Sequence, residues 1–256
     1  MTIPNFMPLL RKGIGKIPAE GGCLVQVASY LADGLSWTDQ TPCVHPVLRS
    51  LAIAVNDRVS DAVRPTLAPL AVDLVGTGPG PKGVEGQQLS VRLAVWFARQ
   101  VLRESDQVSL RAIETAEAWA DEPTRRNAHA AANAARTARA AANTASAAGG
   151  TAANTANTAN TAARAAAYAA ASAAASAATS AANFAAASAA ANTASAAGGT
   201  AATSSALVAL LTGAIAEHRR LTGHQPEPID PERQQYVLET LGVGGDQPER
   251  ASQAVE

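Results

Sequence analysis

The chain has 256 residues and a formal net charge of −1, with 47% hydrophobic residues but only 4% aromatic and 16% charged. A near-neutral chain has no general field to draw in nucleic acid or an anionic membrane surface, and no run of about 18 strongly apolar residues is present to span a bilayer. Alanine dominates the apolar fraction, and a methyl group buries far less surface than Leu or Phe, so the core is smaller than the hydrophobic total suggests.

Composition divides the chain into an ordinary helical module (1–122), an alanine-rich segment (123–206), a closing helix (207–223) and an acidic tail (224–256). The first residues carry Arg11, Lys12 and Lys16 without a following apolar stretch and cleavage site, which argues against a signal peptide and for a cytoplasmic protein. Two cysteines, Cys23 and Cys43, are too few for a disulfide scaffold and are expected to be thiols.

Leu24, Val27, Ala28 and Leu31 fall at i, i+3, i+4 and i+7, the buried face of a short helix that Gly34 ends. A second helix is predicted from Pro46 to Asn56, with Pro46 in its first turn and Val47, Leu48, Leu51 and Val55 inside. A third is predicted from a Ser60-Asp61 cap towards Val75, burying Val63, Leu67, Leu70 and Leu74, with a bend at Pro69. The run Gly76-Thr77-Gly78-Pro79-Gly80-Pro81-Lys82-Gly83 reads as a connecting loop. It is no P-loop, because Lys82 is followed by Gly83 where that motif needs Ser or Thr, and the prolines remove N–H donors. Leu89, Leu93, Trp96, Phe97 and Leu102 mark an amphipathic helix over about 85–105, and Leu110, Ile113 and Trp119 another over 109–120. Asp121-Glu122-Pro123 then starts a new helix, with Pro123 at its first position.

From Asn127 to Ala206 more than half the residues are alanine, the best helix former, and no acidic residue occurs between Pro123 and Ala216. The thirteen residues from Ala141 to Ala153 recur unchanged from Ala190 to Ala202, each copy with a glycine pair, Gly149-Gly150 and Gly198-Gly199. Glycine ends helices and the following Thr caps the next, which predicts three helices, 123–148, 152–197 and 201–221. A continuous rod through the glycines is the alternative, at about 1 kcal/mol per glycine. Arg164, Tyr168, Ser172, Ser176, Ser180, Phe184, Ser188 and Asn192 stand four apart and form one slanted ridge between smooth alanine surfaces. Such surfaces let a second helix approach closely and pack by dispersion; the plainer reading is a solvated low-complexity helix. The eleven-residue threonine interval of alanine-rich antifreeze helices fits Thr144 and Thr155 but stops there, since position 166 is Ala.

Leu207, Leu210, Leu211, Ile215 and Leu221 restore bulky apolar groups, so the last long helix is expected to dock on the first module. His218, Arg219 and Arg220 lie in its final turn, where positive charge complements the helix dipole; an anion site is the alternative. A short helix is predicted from Pro231 to Leu241, then a polar tail.

The residue types that could carry chemistry are Cys23, Cys43 and His45, with Asp39 near them in sequence. Thiolate and imidazole bind zinc, but the spacing Cys-x19-Cys-x-His matches no standard site and a fourth ligand is missing. They are weak metal candidates only. The histidines, His45, His129, His218 and His224, are scattered, no catalytic motif stands out, and no cofactor is expected.

Gly22-Cys23-Leu24-Val25, Leu35-Ser36-Trp37-Thr38-Asp39, Pro42-Cys43-Val44-His45-Pro46, Asn56-Asp57 and Val75-Gly76-Thr77 resemble a group of actinobacterial proteins that has no assigned activity and carries a variable alanine-rich section. The resemblance covers about 18–102 and, weakly, 207–223. The group's Asp-His-Pro-x-Cys turn is changed here to Asp39-Gln40-Thr41-Pro42-Cys43, so the histidine of that turn is missing. The resemblance implies a bacterial helical protein and transfers no catalytic residue.

The sequence therefore predicts an all-α protein, a compact helical module with long alanine-rich helices arranged as a hairpin or array. The expected function is a non-catalytic scaffold or interaction protein that self-associates, or binds a partner helix, through alanine faces. The alternative is an enzyme or metal-binding domain in the first module. Nucleic acid and membrane are not expected partners.

Overall fold

The computed structural model describes residues 10–16, 21–78, 80, 82–101, 107–147, 200–223, 225 and 229–240. Within them the protein is all-α, with helices α1 (Leu24–Asp33), α2 (Pro46–Arg58), α3 (Ala68–Leu74), α4 (Gly83–Val101), α5 (Gln107–Asp121), α6 (Arg125–Ala147), α7 (Thr200–Thr222) and α8 (Pro231–Thr240). No helix among the described residues is long and apolar enough to cross a membrane. The four-residue ridge, both glycine pairs, Leu102 and His224 lie outside the described residues.

Helix α1 is buried all along its predicted face and beyond it, from Leu24 to Leu31, because α2, α3 and α8 all pack on it. It ends as its glycine dictates: Gly34 takes φ +72°, and its N–H bonds to Tyr30 O at 2.7 Å. At its start Cys23 is the N-cap, and Gln26 reaches back to accept the Cys23 N–H at 3.1 Å. The same Gln26 amide accepts from Gly15 N and donates to Gly15 O, at 3.0 and 2.8 Å, so one buried side chain binds the 10–16 strap to the helix.

The third helix differs from expectation. Residues Arg64–Leu67 form a 3-10 turn, and Pro69 lies in the first turn of α3 instead of bending a longer helix. A proline lacks the N–H that a helix interior needs but loses nothing in the first turn, so Pro69 resolves its conflict by starting a new helix there. The start of α6 moves similarly. Thr124, not the sequence around Pro123, caps it: Thr124 Oγ1 accepts from Asn127 N at 3.2 Å, and the helix begins at Arg125.

Helices α4, α5 and α6 pack in succession, and α7 returns to lie against α2, α3 and α4. The predicted docking of the closing helix is thus realised, with Leu207, Leu210, Leu211, Ala214 and Ile215 buried. α2 and α7 run antiparallel, as two polar junctions establish. Ser60, just after α2, donates its N–H to Ser204 Oγ of α7 at 3.1 Å, while His45, just before α2, lies against His218 near the end of α7. His45 and Ser60 are fifteen positions apart along α2, and Ser204 and His218 fourteen along α7, so one apolar seam is clasped at both ends. α8 closes the other side: Arg233 donates to Leu31 O at 3.3 Å, and its guanidinium lies over Gly34, where a Cβ would meet it at 3.1 Å.

Candidate functional site

Two features stand out as more than core packing, and the first is the α5–α6 hairpin. Two helices joined by three residues fold back on each other, and here the inner face of α6 is made of Ala128, Ala131, Ala135 and Ala138, spaced three and four apart. The buried residues of α5 include the small Ser109, Ala112 and Ala116 beside the bulkier Ile113 and Trp119. Small side chains at such a seam bring the backbones close and replace bulky packing with many short dispersion contacts. Beside the seam a cleft of about 640 Å³ is lined by Val108 and Arg111 of α5 and by Ala130, Asn133, Ala134 and Thr137 of α6, among others. Val108 is one of few large apolar side chains exposed on the described surface.

The second feature is the histidine junction. His45 and His218 are 4% and 1% exposed, with ring centroids 5.1 Å apart and planes tilted by 51°. The loop from Thr41 to His45 is held to the glycine-rich loop: Gly78 N donates to Cys43 O at 3.1 Å, and His45 N to Thr77 Oγ1 at 3.1 Å. Thr77 in turn donates to Leu74 O at 2.7 Å. As the N-cap of α2, His45 accepts the Val47 N–H on Nδ1 at 3.3 Å, so its proton sits on Nε2. Burial holds the imidazole down to about 3 from its ordinary 6.5, with His218 and Arg49 pushing the same way. It is neutral at physiological pH. Next to the junction a cleft of about 460 Å³ runs between the first half of α4 and the end of α7, lined by Glu85, Gln88, Leu89, Arg92, Leu221 and Thr222.

Gly78 is forced to be glycine by this loop pairing, since a Cβ there would lie 2.3 Å from Pro42 O and 2.8 Å from Val44 C, both backbone atoms that cannot step aside. Gly78→Ala is expected to destabilise by about 2 kcal/mol or more through overpacking, read as a lower melting temperature. A melting curve identical to that of the parent refutes this packing.

The predicted candidates are not brought together. Cys23 caps α1, where burial pushes its thiol up and keeps it protonated. Cys43 accepts from Thr41 Oγ1 at 3.0 Å and faces Ala28 O at 3.9 Å. Among the described residues no three His, Cys, Asp or Glu side chains converge on a metal-sized point, so Cys23, Cys43, His45 and Asp39 do not form one group. Both cysteines are thiols, with no disulfide between them.

The basic cluster at the end of α7 divides. Arg219 and Arg220 lie in the last turn, where positive charge complements the helix dipole as expected. His218 is buried, Arg219 binds Asp73 of α3 at 2.9 Å, and Arg220 binds Glu217 at 2.7 Å. The histidine pair was missed because its members are 173 positions apart. One signal was available: Leu207, Leu211, Ala214 and His218 share one helical stripe, which places His218 on the buried face of α7.

No protein-family model, curated protein or solved structure matches this chain.

Proposed function

We propose that the protein is a non-catalytic helical scaffold that takes up a further helix, first of all from a second copy of itself, on its small-residue faces. The observation that supports this reading is the α5–α6 hairpin: a helix pair whose α6 face is buried as alanines, with an open cleft beside it whose α6 side carries Ala130, Ala134 and Thr137. An alanine-rich helix fits such a cleft because it brings no bulk and no charge. The chain carries a long alanine-rich stretch immediately after α6, so each copy would bring both the cleft and a matching sequence. Cytoplasmic residence, and the bacterial origin implied by the resemblance of residues 18–102, belong to the same proposal.

The test is the mass of the full chain in solution by light scattering over a hundredfold range of concentration. The expected result is an oligomer whose mass falls on dilution, and a monomer in the double variant Ala130→Glu, Ala134→Glu, with helicity retained by circular dichroism. Ala130 is exposed and Ala134 half-buried at the edge of the core, and the retained helicity is what shows that the hairpin survives the change. A parent chain that is monomeric throughout overturns the reading. Stoichiometric zinc in the purified protein would instead favour the enzyme or metal-domain alternative.

A further inference from the structure

The two ends of the α2–α7 seam are clasped differently. At one end the Ser60–Ser204 contacts involve only neutral groups that do not titrate. At the other, two imidazoles lie buried against each other at 5.1 Å. We propose that this second end is an acid-opened junction: uptake of protons by His45 and His218 undocks the last turn of α7 from the start of α2 and from the glycine-rich loop, and widens the cleft between α4 and α7.

The geometry supplies three reasons. First, a proton arriving at Nδ1 of His45 removes the acceptor of the Val47 N–H, and so breaks the α2 N-cap that the neutral ring provides. Second, the resulting cation stands at a helix N-terminus, where the dipole disfavours positive charge. Third, the charges that face His45 among the described residues do not compensate. Arg49 faces His45 from α2 and repels it. On α7, Glu217 is engaged by Arg220, and the Asp73 carboxylate of α3 is engaged by Arg219. On α4, Arg92 is tied to Asp121, and Glu85 is exposed in the first turn, out in the cleft lining. The glycine-rich loop offers Thr77, whose hydroxyl is committed to Leu74 O.

The junction can also move without dismantling the core. It closes over Gly80, at φ +76°, whose missing side chain leaves room for the His45 ring: a Cβ there would stand 3.2 Å from the ring Cδ2. Beyond it α7 ends within a turn at Gly223, φ +66°. The bulk of α7, from Leu207 to Ile215, is held by apolar packing that protonation does not touch.

Hydrogen exchange on the full chain, read by mass spectrometry between pH 7.5 and 4.5 in the presence of a chelator and corrected for intrinsic rates, tests this directly. Each histidine that is buried when shut and exposed when open raises the open population up to about tenfold per pH unit below 6.5. The expected result is a loss of protection at 216–223 and 76–78 of about 100-fold or more between pH 6.5 and 4.5, while α5 and α6, whose His129 is already exposed, keep theirs. His45→Asn, which retains an N-capping side chain, should reduce the slope, and the pair His45→Asn, His218→Leu should flatten it. Unchanged protection in acid overturns the proposal, as does an equal loss in every helix or a loss that persists in the double variant. If the double variant does not fold, the contrast between the α7 end and the α5–α6 hairpin in the parent chain still decides the matter.

Discussion

Replacing Arg64 with Met is expected to lower the free energy of unfolding by about 3–5 kcal/mol, although the side chain lies far from either cleft. Arg64 is only 5% exposed, in the 3-10 turn after α2. Its Nε donates to Asn56 O and its Nη2 to Val59 O, both at 3.0 Å, so the guanidinium satisfies carbonyls at the C-terminus of α2 that no backbone N–H reaches. The remaining fork pairs with Asp61, whose carboxylate is 93% exposed. That distribution decides the estimate. Losing the partner of an exposed carboxylate costs little, but two buried carbonyls left without charged donors cost about 1.5–3 kcal/mol each. Asn56 spreads the effect, because its fully buried amide donates to Arg11 O at 2.8 Å and so joins the end of α2 to the 10–16 strap. Urea unfolding measures the loss. Arg64→Lys should recover only part of it, since an ammonium cannot span both carbonyls with a planar fork; full recovery by Lys would mean that charge alone matters.

Neither Arg64 nor the histidine pair was legible in the sequence, and the reasons are physical. The helices were legible where a local periodicity met a local stop: α1 between its apolar stripe and Gly34, and α2 behind Pro46. Boundaries failed where one proline had two lawful places. Pro69 kinks a helix or begins one, and the choice depends on whether Arg64–Leu67 wind more tightly ahead of it. Arg64 reads as a surface charge until that tight turn points it back at α2. His218 lay on the apolar stripe of α7, yet its neighbours Arg219 and Arg220 suggested a charged helix end, and only the packing of α7 on α2 separates the three. The alanine seam of α5–α6 is the opposite case. Its small-residue character was plain from composition, whereas which alanines face inward, Ala128, Ala131, Ala135 and Ala138, needed the partner helix. The weak metal candidacy of Cys23, Cys43 and His45 rested on residue type alone, and helix α1 with its cap carries Cys23 into a different set of bonds.

The stability of the whole protein should fall as pH drops below 6.5, and His45 accounts for much of it. Its imidazole titrates near 6.5 in the unfolded chain and at about 3 in the folded one. Between those values the unfolded state binds the proton that the native state refuses, so stability is complete above 6.5, declines through the interval and is lost below about 3. The whole drop is worth roughly 5 kcal/mol, and by pH 4.5 about 3 kcal/mol of it is gone. Urea unfolding between pH 7.5 and 4.5 should therefore show a declining midpoint in the parent chain and a shallower decline in His45→Asn; equal slopes would remove His45 as the cause. The shape of the curve carries a second consequence. The decline lasts only while the ring stays buried, because an opened junction lets the native state take up the same proton. A plateau before pH 3 would mark the pH at which the end of α7 has come away while the rest of the fold persists. The position of that plateau gives the free energy that holds the junction shut at neutral pH, a quantity that exchange at 216–223 measures independently.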